Sequence, residues 1–266
     1  MVNDLVNHIT ALLNIGRDLI IKYPQLVEET GLVNTKGQKT LAIDSLVEQT
    51  FLKYIKTNKL PVRVFSEEIG IVECHPKLRY LIAFDPLDGS TNYQVGKNLF
   101  PYGILVAIFN GLLPKIKNVV AAGAYEITQN LSFIFYNNQT KTLTGQLINL
   151  KGDWQIDKSS PIYLDLHRHS YYETYFNLAE KLYIRNSGST IGNLVYVLKN
   201  AACGLGHPNI KAEEIGAVYA LIKGAGGIVV DHQSKNLGEM DFALNSSYEL
   251  LAGCKNTIEF AAKQFK

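Results

Sequence analysis

The chain has 266 residues, of which 47% are hydrophobic, and a formal net charge of +2 at pH 7. This length suits one large domain or two halves that share a core, and the composition is ordinary for a globular chain rather than a disordered one. A small net charge without a dense Lys/Arg run gives no indication of a nucleic acid polymer or a membrane surface as partner.

The first 60 residues predict two helices. Hydrophobic residues recur at helical spacing over 2–22 and again over 41–55. Residues 31–39 between them are polar and lack a period, so they predict a loop. Because 2–22 carries charged residues among its hydrophobic positions, it is neither a secretory signal nor a membrane span, and we expect a cytoplasmic protein.

Five β-prone runs follow, and they predict a largely antiparallel sheet covered by helices. They are Pro61–Phe65, Leu78–Phe84, Tyr102–Phe109, Val119–Ile127 and Leu131–Tyr136. Polar residues 137–158 mark a boundary, so we divide the chain into an α+β half, 1–145, and a second half, 146–266. In the second half strands alternate with helices, which predicts an α/β arrangement. The strands are 162–166, 183–186, 202–205, 227–231 and 250–253, and the helices are 171–182, 190–200, 212–223 and 258–265.

The stretch FDPLDGSTNY, from Phe84 to Tyr93, is the strongest candidate for chemistry. Asp85 and Asp88 follow a buried strand closely enough for both side chains to converge on one point. Converging carboxylates repel each other unless a cation lies between them, and hard oxygen donors favour Mg²⁺, with Mn²⁺ as a possible relative. Gly89 and the residue after it can bring backbone N–H groups up to an anion. The alternative is a simple turn rich in Asp after a strand.

Residues Asp85 to Ser90 resemble the D-P-[LI]-D-G-[ST] signature of the Mg²⁺-dependent, lithium-sensitive phosphatase superfamily. That superfamily includes inositol monophosphatases, fructose-1,6-bisphosphatases and 3'-phosphoadenosine nucleotidases. Three other segments between Asp44 and Gly227 resemble its remaining signatures, in the same order. The resemblance implies a layered αβαβα sandwich of the sugar-phosphatase type, a phosphomonoesterase activity, two or three Mg²⁺ ions and a homodimer.

The same resemblance implies a set of metal ligands. They are Glu67, Asp85, the carbonyl oxygen of Leu87, Asp88 and Glu214, with Glu68 as a secondary candidate. Glu67 matches the first acid of the family's E-E pair. Glu214 stands where the W-D motif of the family has its Asp, and Glu also holds this place in fructose-1,6-bisphosphatases. Considered alone, Glu214 could simply be an acid that complements a helix dipole.

Catalytic and substrate-binding residues are implied in the same way. Asp44, at the start of the second helix, would orient the nucleophilic water together with Ser90, and the metal ligand Glu67 is the third catalytic candidate. The substrate-binding candidates are Gly89, Ser90, Thr91, Arg185, Ser189, His207 and Lys211. Inositol monophosphatases carry an acid where this chain has His207. We therefore hypothesise that His207, with Lys211 nearby, suits a second phosphate better than a polyol.

The predicted function is hydrolysis of small sugar or polyol phosphates, fructose 1,6-bisphosphate or inositol 1-phosphate or both, by attack of a metal-activated water. Two alternatives stay open. One is a 3'(2'),5'-bisphosphate nucleotidase acting on 3'-phosphoadenosine 5'-phosphate. The other is a non-catalytic sensor of phosphorylated ligands. Every implied metal position holds an oxygen donor, which favours an enzyme over a sensor.

Overall fold

The fold stacks helices and sheets in five layers, as the resemblance implied. The computed structural model describes residues 2–33, 39–96, 98–151, 155–166, 168–199, 204–244 and 246–265. Within these residues a helix pair covers a seven-stranded sheet, a second helix pair separates that sheet from a five-stranded one, and a third pair covers the outside. This is a mixed αβαβα sandwich, in which each sheet buries both faces against helices.

The first outer layer consists of the two helices that the hydrophobic period predicted, α1 (Val2–Lys22) and α2 (Ala42–Thr57). Leu12, Leu13 and Phe51 are fully buried and pack in one cluster with residues of the seven-stranded sheet. Burial of a hydrophobic stripe on each helix therefore fixes this layer on the sheet.

The prediction of a loop over residues 31–39, between these helices, is wrong in part. Strands β1 (Glu29–Val33) and β2 (Lys39–Leu41) pair as an antiparallel hairpin that leads directly into α2. Residues 34–38 lie outside the described residues. The side chains of Glu29, Thr30 and Lys39 are exposed. Strand β2 has only three residues, of which Thr40 and Leu41 are buried, and so short a strand displays no recognisable hydrophobic alternation in the sequence.

The seven-stranded sheet contains every strand predicted for the first half. Its strands are β3 (Val62–Ser66), β4 (Gly70–Glu73), β5 (Tyr80–Asp88), β6 (Gly103–Asn110), β7 (Val119–Glu126), β8 (Leu131–Tyr136) and β9 (Gln139–Thr142), and the short helix α3 (Ser90–Gly96) follows β5. The order is β4-β3-β5-β6-β7-β8-β9, antiparallel except between β3 and β5. The sequence missed β4 and β9, the two edge strands, because an edge strand needs little hydrophobic character.

The inner helices are α5 (Thr190–Leu198) and α6 (Ala212–Gly224). Nearly all their described side chains are buried, including those of Asn193 and Glu213. Both helices share one hydrophobic cluster with strands of the two sheets. A helix that is buried on all sides must lie between two layers, and these two helices therefore join the sheets through a common core.

The five-stranded sheet holds the strands of the second half. They are β10 (Pro161–Leu164), β11 (Tyr183–Arg185), β12 (Gly204–Lys211), β13 (Ile228–Val230) and β14 (Ser247–Gly253), covered by α4 (His169–Ala179) and α7 (Lys255–Ala262). The order is β11-β10-β12-β14-β13, and only β14 runs antiparallel to its neighbours. Residues 201–203 of the predicted strand 202–205 lie outside the described residues. Its described part continues to Lys211, further than predicted, past a register shift between His207 and Ile210.

The division of the chain at residue 145 stays a prediction. The strands of the larger sheet all precede that residue and those of the smaller sheet all follow it, while the inner helices pack on both sheets. Among the described residues, no helix combines the length and the hydrophobicity that a membrane span requires.

Candidate active site

Three buried carboxylates meet at one edge of the seven-stranded sheet. Asp85, Asp88 and Glu214 each offer an oxygen atom, and these atoms lie within 4.8 Å of one another. Glu67 lies beside them, because β3 and β5 are parallel neighbours whose carboxyl ends meet at the same edge, with Ser66 level with Phe84. We call Glu67, Asp85, Asp88 and Glu214 the carboxylate floor. Each of the four residues is at most 8% exposed.

The chemistry of the carboxylate floor fits a divalent cation. Burial, followed by the charges of Glu67 and Asp88, raises the pKa of Asp85 well above its usual value. Burial and then the charge of Glu214 raise the pKa of Asp88 to about 8. Without a cation, the ionised forms of these two carboxyls are therefore disfavoured. An all-oxygen donor set whose members repel one another when ionised is the environment that Mg²⁺ or Mn²⁺ stabilises.

The N-terminus of α5 orients two members of the floor. A carboxylate oxygen of Asp88 accepts a hydrogen bond from the backbone N–H of Ile191. The hydroxyl of Thr190 donates to Glu214, with 2.7 Å between Oγ1 and Oε2. Thr190 is not among the predicted site residues. The N-cap of α5 is Ser189, whose side chain accepts from the N–H of Gly192, so the Thr190 hydroxyl is available to Glu214.

The DPLDG segment reaches this geometry through an irregular strand. We expected the strand to end at Phe84, but β5 continues to Asp88, and its register against β6 shifts between Asp85 and Asp88. In a regular strand, residues three apart point to opposite faces, and the shift allows both carboxylates to reach one site. Leu87 donates its N–H to Asp85 Oδ1 at 2.9 Å, and its carbonyl oxygen accepts from Ser90 Oγ at 3.0 Å.

The backbone conformation at position 89 requires glycine. Its φ of +84° lies in the left-handed region that favours glycine, and a Cβ atom at this position would stand 2.9 Å from the Cβ atom of Ser189. A side chain here would therefore push apart α3 and the start of α5.

Asp44 lies on the same cavity as Glu67 and Glu68. It is 4% exposed, and its Oδ2 accepts from the N–H of Leu41 at 3.3 Å. Its Oδ1 is buried without a hydrogen-bond partner among the described residues. Burial, followed by the charge of Glu68, raises its pKa well above the usual value. A buried oxygen of this kind is suited to a water or a cation that the chain itself does not supply. Glu68 accepts a hydrogen bond from the hydroxyl of Thr40.

Glu48 is a buried acid outside the predicted set of site residues. It is 1% exposed and accepts hydrogen bonds from the hydroxyl of Ser66 and from the backbone of Ile69. These bonds hold the turn that carries Glu67. Burial raises the pKa of Glu48 to about 7. Its position four residues after Asp44, on the same face of α2, was the available signal.

A cavity of about 770 Å³ opens above the carboxylate floor. Its far side is formed by Asp165, Arg168, Tyr171 and His207, which we call the β10–β12 wall. Asp165 Oδ2 lies 2.9 Å from His207 Nε2, while His207 Nδ1 accepts from the N–H of Asn209 at 3.1 Å. The imidazole proton is therefore on Nε2, and His207 acts on the cavity through Asp165. Of the wall, the sequence predicted only His207.

Six of the seven substrate-binding candidates line this cavity: Gly89, Ser90, Thr91, Ser189, His207 and Lys211. The hydroxyl of Ser189 is engaged within the protein, since it caps α5 and donates to the Pro101 carbonyl oxygen at 2.8 Å. Arg185 lies elsewhere, in a separate pocket, with its guanidinium 4.5 Å from the ring centre of Tyr183. Residues two apart on a strand share a face, and that face of β11 is turned away from the cavity.

Comparisons with known proteins agree with this geometry. The family model described as "Inositol monophosphatase family" matches residues 9–265. The chain is 25% identical over 249 residues to the fructose-1,6-bisphosphatase/inositol-1-monophosphatase of Methanocaldococcus jannaschii, covering 89% of this chain and 90% of that protein. It is 26% identical over 217 residues to the class 1 fructose-1,6-bisphosphatase of Helicobacter pylori, covering 76% and 71%.

The fold has a close counterpart among solved structures. The extragenic suppressor protein suhB from Bartonella henselae superposes with a TM-score of 0.81 at 16% identity, covering 99% of this chain and 98% of that one. At this identity the likeness concerns the fold alone. Because the family model covers almost the whole chain, this protein belongs to the inositol monophosphatase family and is a phosphomonoesterase.

Proposed function

We propose that this protein hydrolyses phosphomonoesters of small sugars or polyols, namely fructose 1,6-bisphosphate or inositol 1-phosphate or both. The observation that carries the proposal is the convergence of Asp85, Asp88 and Glu214 beneath a cavity of about 770 Å³. The relative from Methanocaldococcus jannaschii bears both activities in its name and aligns over 89% of this chain.

Mg²⁺ is the cofactor that the donor set favours, with Mn²⁺ as an alternative. The ligands we assign are Glu67, Asp85, the Leu87 carbonyl oxygen, Asp88 and Glu214, with Glu68 as a secondary candidate, for two or three ions. Bound there, the metal would activate a water for attack on phosphorus and stabilise the charge that develops on the leaving oxygen.

The protein's own groups would position the reactants. Asp44 has a buried oxygen to which no described residue donates a hydrogen bond, so it can accept one from the attacking water. Ser90 lies on the same cavity and is already held by the Leu87 carbonyl oxygen. The backbone N–H groups of Gly89, Ser90 and Thr91 are the donors we assign to the phosphate oxygens.

The β10–β12 wall supports a sugar phosphate as substrate. The carboxylate of Asp165 can accept hydrogen bonds from hydroxyl groups, and the guanidinium of Arg168 and the ammonium of Lys211 can pair with phosphate. A nucleotide would need an aromatic face on which its base can stack. Tyr171, the aromatic residue of this wall, is only 8% exposed and meets His207 edge-on, so it offers no such face.

A phosphate-release assay tests the proposal. Purified protein is supplied with fructose 1,6-bisphosphate, inositol 1-phosphate or 3'-phosphoadenosine 5'-phosphate, each with Mg²⁺ and with a chelator. We expect Mg²⁺-dependent release from at least one of the first two and little from the third. Phosphate release from the nucleotide alone would contradict the proposal and favour the nucleotidase activity. No release from any of the three compounds would favour a non-catalytic sensor. The homodimer and the cytoplasmic location stay predictions.

A further inference from the structure

Lys211 places a positive charge inside the carboxylate floor. Its Nζ lies 2.6 Å from Glu67 Oε1 and 3.9 Å from Glu214 Oε1. The ammonium group therefore lies against two of the residues that we assign to the metal.

Lys39 and Arg168 also line the cavity, and their described contacts lie outside the carboxylate floor. Lys39 Nζ lies 2.5 Å from Glu29 Oε2, and the guanidinium of Arg168 lies over the ring of Tyr171. Within the described lining, Lys211 is thus the basic residue ion-paired with the carboxylate floor. Its side chain is still 32% exposed toward the cavity, whereas that of Glu67 is 8% exposed.

We propose that Lys211 is a built-in counter-ion of the metal-free site, which a divalent cation must displace from Glu67. This inference rests on the proposed function, since it assumes that Glu67 is a metal ligand. Two cations cannot share one carboxylate oxygen without strong repulsion, because unit charges a few ångströms apart interact strongly in a partly buried site. Occupation of Glu67 by the metal therefore drives the ammonium out.

The displaced ammonium has a defined place to go. The lysine stem begins at the end of β12, and its exposed part faces the cavity that also contains Ser90 and Thr91. There the ammonium can donate to an anion. Lys211 therefore acts as a positioning residue that becomes available to phosphate only after the metal has taken Glu67, and this favours binding of metal before phosphate.

The test is a Mn²⁺ titration of the metal-free protein, read by calorimetry and by the electron paramagnetic resonance signal of free Mn²⁺. Lys211→Met removes the charge and keeps most of the stem, and Lys211→Gln serves as a second variant in case the first does not fold. We expect either variant to bind Mn²⁺ about tenfold more tightly than wild type, which corresponds to about 1.4 kcal/mol. Lys39→Met, which removes a charge paired elsewhere on the same cavity, is the matched control and leaves the affinity unchanged.

A double variant assigns the effect to the right carboxylate. In a Glu67→Gln background the substitution at Lys211 should raise Mn²⁺ affinity clearly less than it does in wild type, because Lys211 then competes with the metal only at Glu214, 3.9 Å away. Inorganic phosphate should bind the Mn²⁺-loaded Lys211→Met protein several-fold more weakly than loaded wild type.

The outcomes separate the inference from the proposed function. If wild type binds Mn²⁺ and the charge-removing variants bind it equally or more weakly, the counter-ion role is wrong while the metal site stands. If wild type binds no Mn²⁺, the proposed function fails, and the inference fails with it.

Discussion

The carboxylate floor and the β10–β12 wall face one cavity, but they are held in different ways. Partners outside the floor fix its acids: a backbone N–H for Asp88, a hydroxyl for Glu214 and an ammonium for Glu67. In the wall, Asp165 and His207 hold each other, each with a side chain 13% exposed.

This difference indicates that the two regions have separate roles. Carboxylates fixed from outside at short mutual distances are suited to metal-assisted chemistry, which tolerates little displacement. A more open polar pair is suited to recognising the rest of a substrate. We infer that the floor determines the reaction and the wall the substrate, and the predictions below test that division.

Asp85→Asn should produce the largest effect. It removes a charge from the centre of the floor, and we expect Mg²⁺-dependent phosphatase activity to fall at least about a thousandfold, or about 4 kcal/mol of transition-state stabilisation. Circular dichroism should show an intact fold. Glu73→Gln, which alters a β4 side chain that is 58% exposed and paired with Arg63, is the control and should retain activity. If turnover survives this substitution, Asp85 has no essential role in the reaction.

The stability of the metal-free protein should depend on pH through Glu48. Its pKa is raised from 4.5 to about 7 in the folded protein, so the folded state binds a proton more tightly than the unfolded state. The free energy of unfolding should therefore fall as pH rises from about 4.5 to 7, by on the order of 3 kcal/mol from this group.

Glu48→Gln should flatten that part of the pH profile. Urea unfolding of both proteins at a series of pH values in the presence of a chelator measures it. The same slope in wild type and variant would show that other acids of the floor, and not Glu48, carry the pH dependence.

Thr190→Val should weaken metal binding at the carboxylate floor without changing substrate recognition by the β10–β12 wall. Valine has nearly the shape of threonine but leaves Glu214 without its hydroxyl donor, a loss of about 1 to 2 kcal/mol. We expect about a tenfold higher Mg²⁺ concentration for half-maximal activity, while the ratio of rates on two substrates stays constant. Thr190→Ser, which restores the donor, should behave as wild type. If the serine variant is equally impaired, packing rather than the hydrogen bond is responsible.

Asp165→Asn should give the smallest effect and should act on the wall alone. Asparagine can still accept from His207, but it lacks the negative charge that would repel a second phosphate in the cavity. We expect the ratio of kcat/KM for fructose 1,6-bisphosphate over inositol 1-phosphate to rise about fivefold. This is the effect of removing the repulsion between two unit charges roughly 5 Å apart in water-like surroundings. Mn²⁺ affinity should stay within about twofold of wild type. A large loss of metal affinity would contradict the proposed separation of floor and wall.

The sequence alone predicted the layered fold and the acids that make up the floor. Hydrophobic period located α1 and α2, and the DPLDG motif located Asp85 and Asp88. These predictions were possible because a helix period and a short motif are properties of neighbouring residues. The resemblance to a family supplied Glu214, whose position beside the two aspartates no local pattern could indicate.

Tertiary structure decided which partners hold those acids. Thr190 reaches Glu214 across 24 positions, and Lys211 reaches Glu67 across 144. Pairing between strands decides two further features. It turns the face of β11 that carries Arg185 away from the cavity, and it produces the register shift that brings Asp85 close to Asp88. A sequence records the residue types available for such contacts. Only packing of distant segments against one another determines which of them meet.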